Sequence, residues 1–174
     1  MKKKLLAALC ALALALGAFS LSAWGAPTTV YLLATNDKMC DLPDNALPIS
    51  VNGTIYVPYT VFDKEATKTD LGVYYGIRQD QGTILNLYSL SDNLTFNISQ
   101  RTCTDREGKQ MNFRAVIRNN IPYVPANAVC TFFKLQYSLL STPDRGTLIR
   151  ICSSSASLSD SVFLSSAGSA MLSR

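Results

Sequence analysis

The chain says two things twice, in the same order. Asn52-Gly53-Thr54-Ile55-Tyr56-Val57-Pro58 returns as Asn119-Asn120-Ile121-Pro122-Tyr123-Val124-Pro125, and Asp80-Gln81-Gly82-Thr83-Ile84-Leu85 returns as Asp144-Arg145-Gly146-Thr147-Leu148-Ile149. From Tyr56 to Asp80 the chain runs 24 residues, and from Tyr123 to Asp144 it runs 21. Two landmarks in one order, with a three-residue length change between them, read as an internal repeat, and a repeat constrains architecture before any single residue does. Polar residues recurring at matched positions are turn-formers before they are catalysts.

Each copy reads the same way. Ile49–Val51 enters Asn52-Gly53, the strongest short hairpin signal, and Thr54–Val57 leaves it. Pro58 has no N–H for a ladder but suits the first turn of a helix, so Tyr59–Ala66 is predicted helical. Leu71–Ile77 is the next strand, Asp80-Gln81-Gly82 a turn, and Thr83–Tyr88 the return strand. The second copy gives strands at Phe113–Ile117 and Ile121–Val124, a helix at Ala126–Phe133, and strands at Leu135–Leu140 and Thr147–Cys152. Between the copies, Leu94–Ile98 alternates as a half-buried strand does. The predicted fold class is α+β: a mainly antiparallel sheet built from two β-hairpin, short helix, β-hairpin repeats (47–90 and 111–152), plus a C-terminal helix.

The ends differ from this body. Lys2, Lys3 and Lys4, the apolar run Leu5–Ala18 and the small residues Ala23 and Gly25 have the anatomy of a secretory signal peptide over residues 1–25. Leu9 stands before Cys10 where a lipoprotein signal needs a small residue, so lipidation is not expected. Residues 26–46 form an N-terminal segment. Losing the three lysines takes the formal charge from +4 to +1. The basic balance therefore belongs to the export signal, and no nucleic-acid partner is implied, since that needs a clustered basic face. The expected location is secreted or at the cell envelope, with membrane contact only through the signal peptide during export. From Ser153 to Arg174, ten of 22 residues are serine, a linker composition. Within it, Val162, Phe163, Ala167, Ala170 and Met171 recur at helical spacing, which predicts a short helix with Ser159 or Asp160 as its cap.

At this point the residues resemble a known family. Val51-Asn52-Gly53, Tyr-Val-Pro opening a helix, Leu71-Gly72-Val73, then a turn and Gly82-Thr83-Ile84-Leu85 look like the copper amine oxidase-like N-terminal domain of exported proteins of Gram-positive bacteria, clostridia and bacilli especially. The resemblance spans 47–152. Thr60 stands where that family usually has arginine, Tyr59 replaces its leucine, Ala126-Asn127 replaces Leu-Arg, and no glycine follows the second helix. The resemblance implies a small, non-catalytic accessory or stalk domain, not copper and not amine oxidation. Related domains precede cell-wall-active deacetylase and amidase domains, which implies cell-wall glycan, or a catalytic domain beyond Arg174, as partner. The alternative is a stand-alone secreted module that binds glycan or protein.

The chemistry available is narrow. The chain has no histidine, which removes Ser-His-Asp and Cys-His catalysis and the histidine ligands typical of copper amine chemistry and of zinc hydrolases. No enzyme activity, cofactor or metal is expected. Cys40, Cys103, Cys130 and Cys152 remain after cleavage, and two readings stay open: buried thiols, or disulfides of unassigned pairing. Asp37, Asp41 and Asp44 lie beside Asn36 and Asn45, but without the spacing of a calcium loop. Asp80 and Asp144 hold matched turn positions. Tyr59, Tyr74 and Tyr75 are the candidate binding residues. They flank the helix–strand junction where the copies differ in length, and Tyr74 and Tyr75 must point to opposite faces of a strand.

Overall fold

A computed structural model describes residues 31–79, 82–142, 146–153 and 158–165. The signal segment 1–25, the turn residues Asp80, Gln81, Asp144 and Arg145, and the tail after residue 165 lie outside the described residues. The fold is α+β and mostly antiparallel. In chain order the strands are β1 (Tyr31–Thr35), β2 (Lys38–Met39), β3 (Ile49–Val51), β4 (Thr54–Pro58), β5 (Tyr74–Arg78), β6 (Ile84–Tyr88), β7 (Asn93–Asn97), β8 (Thr102–Asp105), β9 (Val116–Arg118), β10 (Ile121–Pro125), β11 (Gln136–Thr142) and β12 (Gly146–Cys152). The helices are α1 (Lys64–Thr67), preceded by a 3-10 turn at Tyr59–Phe62, and α2 (Ala126–Phe132). A third, α3, begins at Asp160, and its described part runs to residue 165.

Instead of one sheet the strands form three, each of four strands, in the orders β3-β4-β10-β9, β5-β6-β7-β8 and β11-β12-β1-β2. The first joins the two Asn-turn hairpins. Asn52 and Gly53 take φ of 50° and 78°, and Asn119 and Asn120 take 51° and 62°, so both hairpins close through two left-handed residues, as their strand twist favours. The hairpins meet at β4 and β10, where Tyr56 opposes Pro125, Val57 opposes Val124 and Pro58 opposes Tyr123. The prolines fall at the strand ends, where a missing N–H costs the ladder little.

After Pro125 the chain forms one continuous helix, but after Pro58 it does not. Tyr59–Phe62 is a 3-10 turn, and Asp63, at φ −90° and ψ 111°, breaks it and restarts α1 by accepting the Glu65 N–H at 2.9 Å. Aligned on Tyr-Val-Pro, the position of Asp63 is Cys130 in α2, which is fully buried. A thiol can enter the core there, whereas a carboxylate cannot do so unpaired. Asp63 stays at the surface and caps. The single predicted helix Tyr59–Ala66 is therefore two short turns.

The remaining sheets each take one of the later hairpins and extend it. The β5–β6 hairpin is extended by β7 and β8, all antiparallel. The β11–β12 hairpin is extended by β1, which runs parallel to β12 from Tyr31 opposite Thr147 to Thr35 opposite Ile151, and then by β2. The 26–46 segment thus supplies two strands to the body of the fold. One core, including Leu33, Val57, Val61, Leu85, Phe96, Val124, Val129 and Ile149, lies between the three sheets. A smaller cluster of Ala34, Leu140, Leu148 and Phe163 lies where α3 covers the other face of the β11-β12-β1-β2 sheet. Coverage on both faces explains why β12 is buried continuously from Leu148 to Cys152, with Arg150 in its middle.

Candidate functional site

The β5–β8 sheet shows which side chains the fold offers to solvent. Leu85, Leu87, Leu94, Phe96 and Cys103 are buried. Their strand neighbours must therefore point outward, because side chains alternate. The register aligns these outward residues in three rows: Tyr74, Tyr88 and Asn93; Gly76, Asn86, Thr95 and Thr104; Arg78, Ile84, Asn97 and Thr102. Arg78 is the one formal charge in the three rows. The rest of the face consists of amides, hydroxyls, two aromatic rings, one isoleucine and a glycine.

Tyr74 and Tyr88 are direct cross-strand partners, with ring centroids 6.0 Å apart and planes inclined at 42°. They are 37% and 41% exposed, so the rings keep a free surface as well as each other. The Tyr74 hydroxyl lies 3.4 Å from Asp70 Oδ2. Next to them Gly76 leaves open space where a side chain would stand. The Thr95 hydroxyl lies 2.9 Å from Asn86 Oδ1 and 3.2 Å from Asn93 Oδ1. Its single proton serves one of these two carbonyl oxygens at a time, and neither amide NH2 group has a protein acceptor among the described residues. The result is a shallow aromatic step beside a trough edged with hydrogen-bond donors.

The three sequence candidates part company here. Tyr74 belongs to this surface. Tyr75 points the other way and meets Tyr59 edge-to-face, at 4.8 Å between centroids. The Tyr75 hydroxyl donates to Asp63 Oδ2 at 3.2 Å, and burial together with the Asp63 charge raises its pKa. Tyr59 and Tyr75 thus join the core edge, and the partner of Tyr74 is Tyr88, which the sequence reading did not single out. A hairpin centred on Gln81 places residue 88 opposite residue 74, so that pairing was available from the predicted turn.

The cysteines and acids occupy structural places. Cys40, Cys103, Cys130 and Cys152 are all free thiols, half-buried at Cys40 and buried at the others. Burial pushes Cys103 and Cys130 up to about 12, and raises Cys40 and Cys152 as well. Asp37 is engaged by β12 and the residue Leu158 ahead of α3. Its carboxylate takes the Arg150 guanidinium, with Nε at 2.8 Å, and the Leu158 N–H at 3.0 Å. Arg150 also bonds Asp160 at 2.6 Å and the Leu158 carbonyl at 2.7 Å, and stands 4.8 Å above the Phe163 ring. This buried arginine fastens α3 to the sheet. Among the described residues no three Cys, Asp or Glu side chains gather as a metal ion would need. No described helix is long and apolar enough to cross a membrane.

No protein-family model, curated protein or solved structure matches the chain.

Proposed function

We propose that this chain is an exported, non-catalytic accessory module of the cell envelope and that the outer face of its β5–β8 sheet binds a neutral glycan. The observation that carries the reading is the Tyr74–Tyr88 pair on an almost uncharged sheet face. Sugar rings offer apolar C–H faces, which aromatic rings cover, and hydroxyls, which the Asn86 and Asn93 amides suit. The sister sheet makes the contrast. Its outer face is covered by α3, with Phe163 on Leu148 and the Arg150 charge paired to Asp37 and Asp160, whereas the β5–β8 face leaves two tyrosines exposed. The export signal over residues 1–25 and the resemblance to accessory domains of wall-active proteins support the same setting.

The fold reading that accompanies this is a duplicated β-hairpin, short helix, β-hairpin unit, residues 47–90 and 111–152. The antiparallel meeting of the two Tyr-Val-Pro segments supports it. Service beside a deacetylase- or amidase-type catalytic domain and service as a stand-alone glycan binder share this surface. The lack of histidine is the sequence feature that favours a binding role over catalysis.

Sedimentation with insoluble wall glycan tests it. The protein is expected in the pellet, and the Tyr74→Ala and Tyr88→Ala variants should each be retained about fivefold more weakly, with their circular dichroism unchanged. Folded wild-type protein that stays in the supernatant would overturn the reading.

A further inference from the structure

A groove of about 620 Å³ runs between β4, α2, the turn before β8 and the loop that follows it. That volume is in the range of small-ligand sites. Arg101 and Arg114 both line it, and no acidic residue does. Neither guanidinium makes a side-chain hydrogen bond or an ion pair among the described residues, in contrast to Arg150, whose charge is fully engaged. Thr54, Asn112 and Asn127 add neutral donors and acceptors, and Phe113, half-buried against Phe96 with centroids 6.1 Å apart, gives an apolar wall.

We infer that this groove binds an oxyanion-bearing oligosaccharide, with Arg101 and Arg114 taking its carboxylate or phosphate groups. Planar guanidinium forks match both oxyanions bidentately. The neutral amides, the hydroxyl and the Phe113 ring suit the sugar between them better than an acidic peptide. The site is separate from the tyrosine face and does not depend on it.

Arg101 allows a clean test. Its backbone is left-handed, with φ of 57°, a conformation that asparagine tolerates better than arginine. Arg101→Asn therefore removes the guanidinium without loading the fold. Arg114→Gln does the same at an exposed loop position.

Affinity electrophoresis of the purified protein through gels holding polygalacturonate, poly(glycerol phosphate), neutral dextran or polyglutamate reads the result. The expected outcome is retardation by one or both anionic saccharides, weakened by added salt. Each variant is expected to weaken it about tenfold or more, as for loss of a charge-assisted hydrogen bond. The two polymers distinguish a carboxylate from a phosphate source. Pelleting with neutral wall glycan should be unchanged in both variants. No retardation by either anionic saccharide, equal retardation of wild type and variants, or retardation by polyglutamate alone would overturn the proposal.

Discussion

Val57 stands directly opposite Val124 across the β4–β10 ladder, with Tyr56 against Pro125 on one side and Pro58 against Tyr123 on the other. The two most similar segments of the chain thus meet antiparallel at their own midpoints, and both valines are fully buried. Each removes two methyls' worth of core when cut to alanine, at about 1–3 kcal/mol. Val57→Ala and Val124→Ala should cost similar amounts in urea unfolding. The double variant should depart from their sum by about 0.5 kcal/mol or more, because direct neighbours couple. Strictly additive costs would mean the two side chains do not share one site.

Arg150 and Asp37 make stability depend on acid. Burial works against the Asp37 carboxylate, but the Leu158 N–H, Arg150 and the Cys152 thiol together hold its pKa below the usual carboxylate value. A depressed folded pKa means that the stabilisation is present above the unfolded value, near pH 4, and is lost as pH falls through the lower folded one. Denaturant midpoints should drop below about pH 4, and Asp37→Asn should flatten that drop while lowering stability at pH 7. Arg150→Met, which strands the carboxylate, should cost roughly 3 kcal/mol at pH 7. An unchanged acid limb in Asp37→Asn would exclude this pair as its source.

Gly82 is fixed by its surroundings. Its φ is 123°, and an added Cβ would run into the Ser99 side chain. Gly82→Ala should destabilise by about 1–3 kcal/mol, through the backbone and the contact together. The double variant with Ser99→Gly should recover the steric part alone. Full recovery, or none, would show that only one of the two causes operates.

The thiols should label in an order set by burial. Half-buried Cys40 should react first with an aromatic disulfide reagent at pH 8. Cys103 and Cys130, pushed up to about 12, should react only on unfolding, since the thiolate is the nucleophile. Peptide mapping after a brief pulse reads the order. Early labelling at Cys130 would contradict the burial described.

Much of the fold was legible because its signals are local. The Asn52-Gly53 and Asn119-Asn120 turns and the strands around them need only their own residues, and Tyr-Val-Pro marks the end of a strand in both copies, before a 3-10 turn in the first and α2 in the second. The split at Asp63 was harder, because it depends on what the matching position, Cys130, buries. The parallel pairing of β1 with β12 was not legible. Its partners are more than a hundred residues apart, and Tyr31–Thr35 carries neither a turn signal nor a strict alternation. The candidate site divides similarly. Tyr74 was picked out by its place beside the length change, while Tyr88 required the register of a hairpin, and the Arg101–Arg114 groove required tertiary packing of segments with no sequence mark in common.

The tyrosine face is tested most directly by titrating isotope-labelled protein with a neutral oligomer of N-acetylglucosamine and following backbone amide shifts. Shifts are expected to map to residues 74–76, 86–88 and 93–95, with a Kd on the order of 1 mM or tighter. Tyr74→Ala and Tyr88→Ala should each weaken binding about fivefold, the equivalent of one aromatic contact of ~1 kcal/mol. Shifts that map elsewhere, or a spectrum unmoved at saturating sugar, would contradict the assignment of this face as a glycan-binding surface.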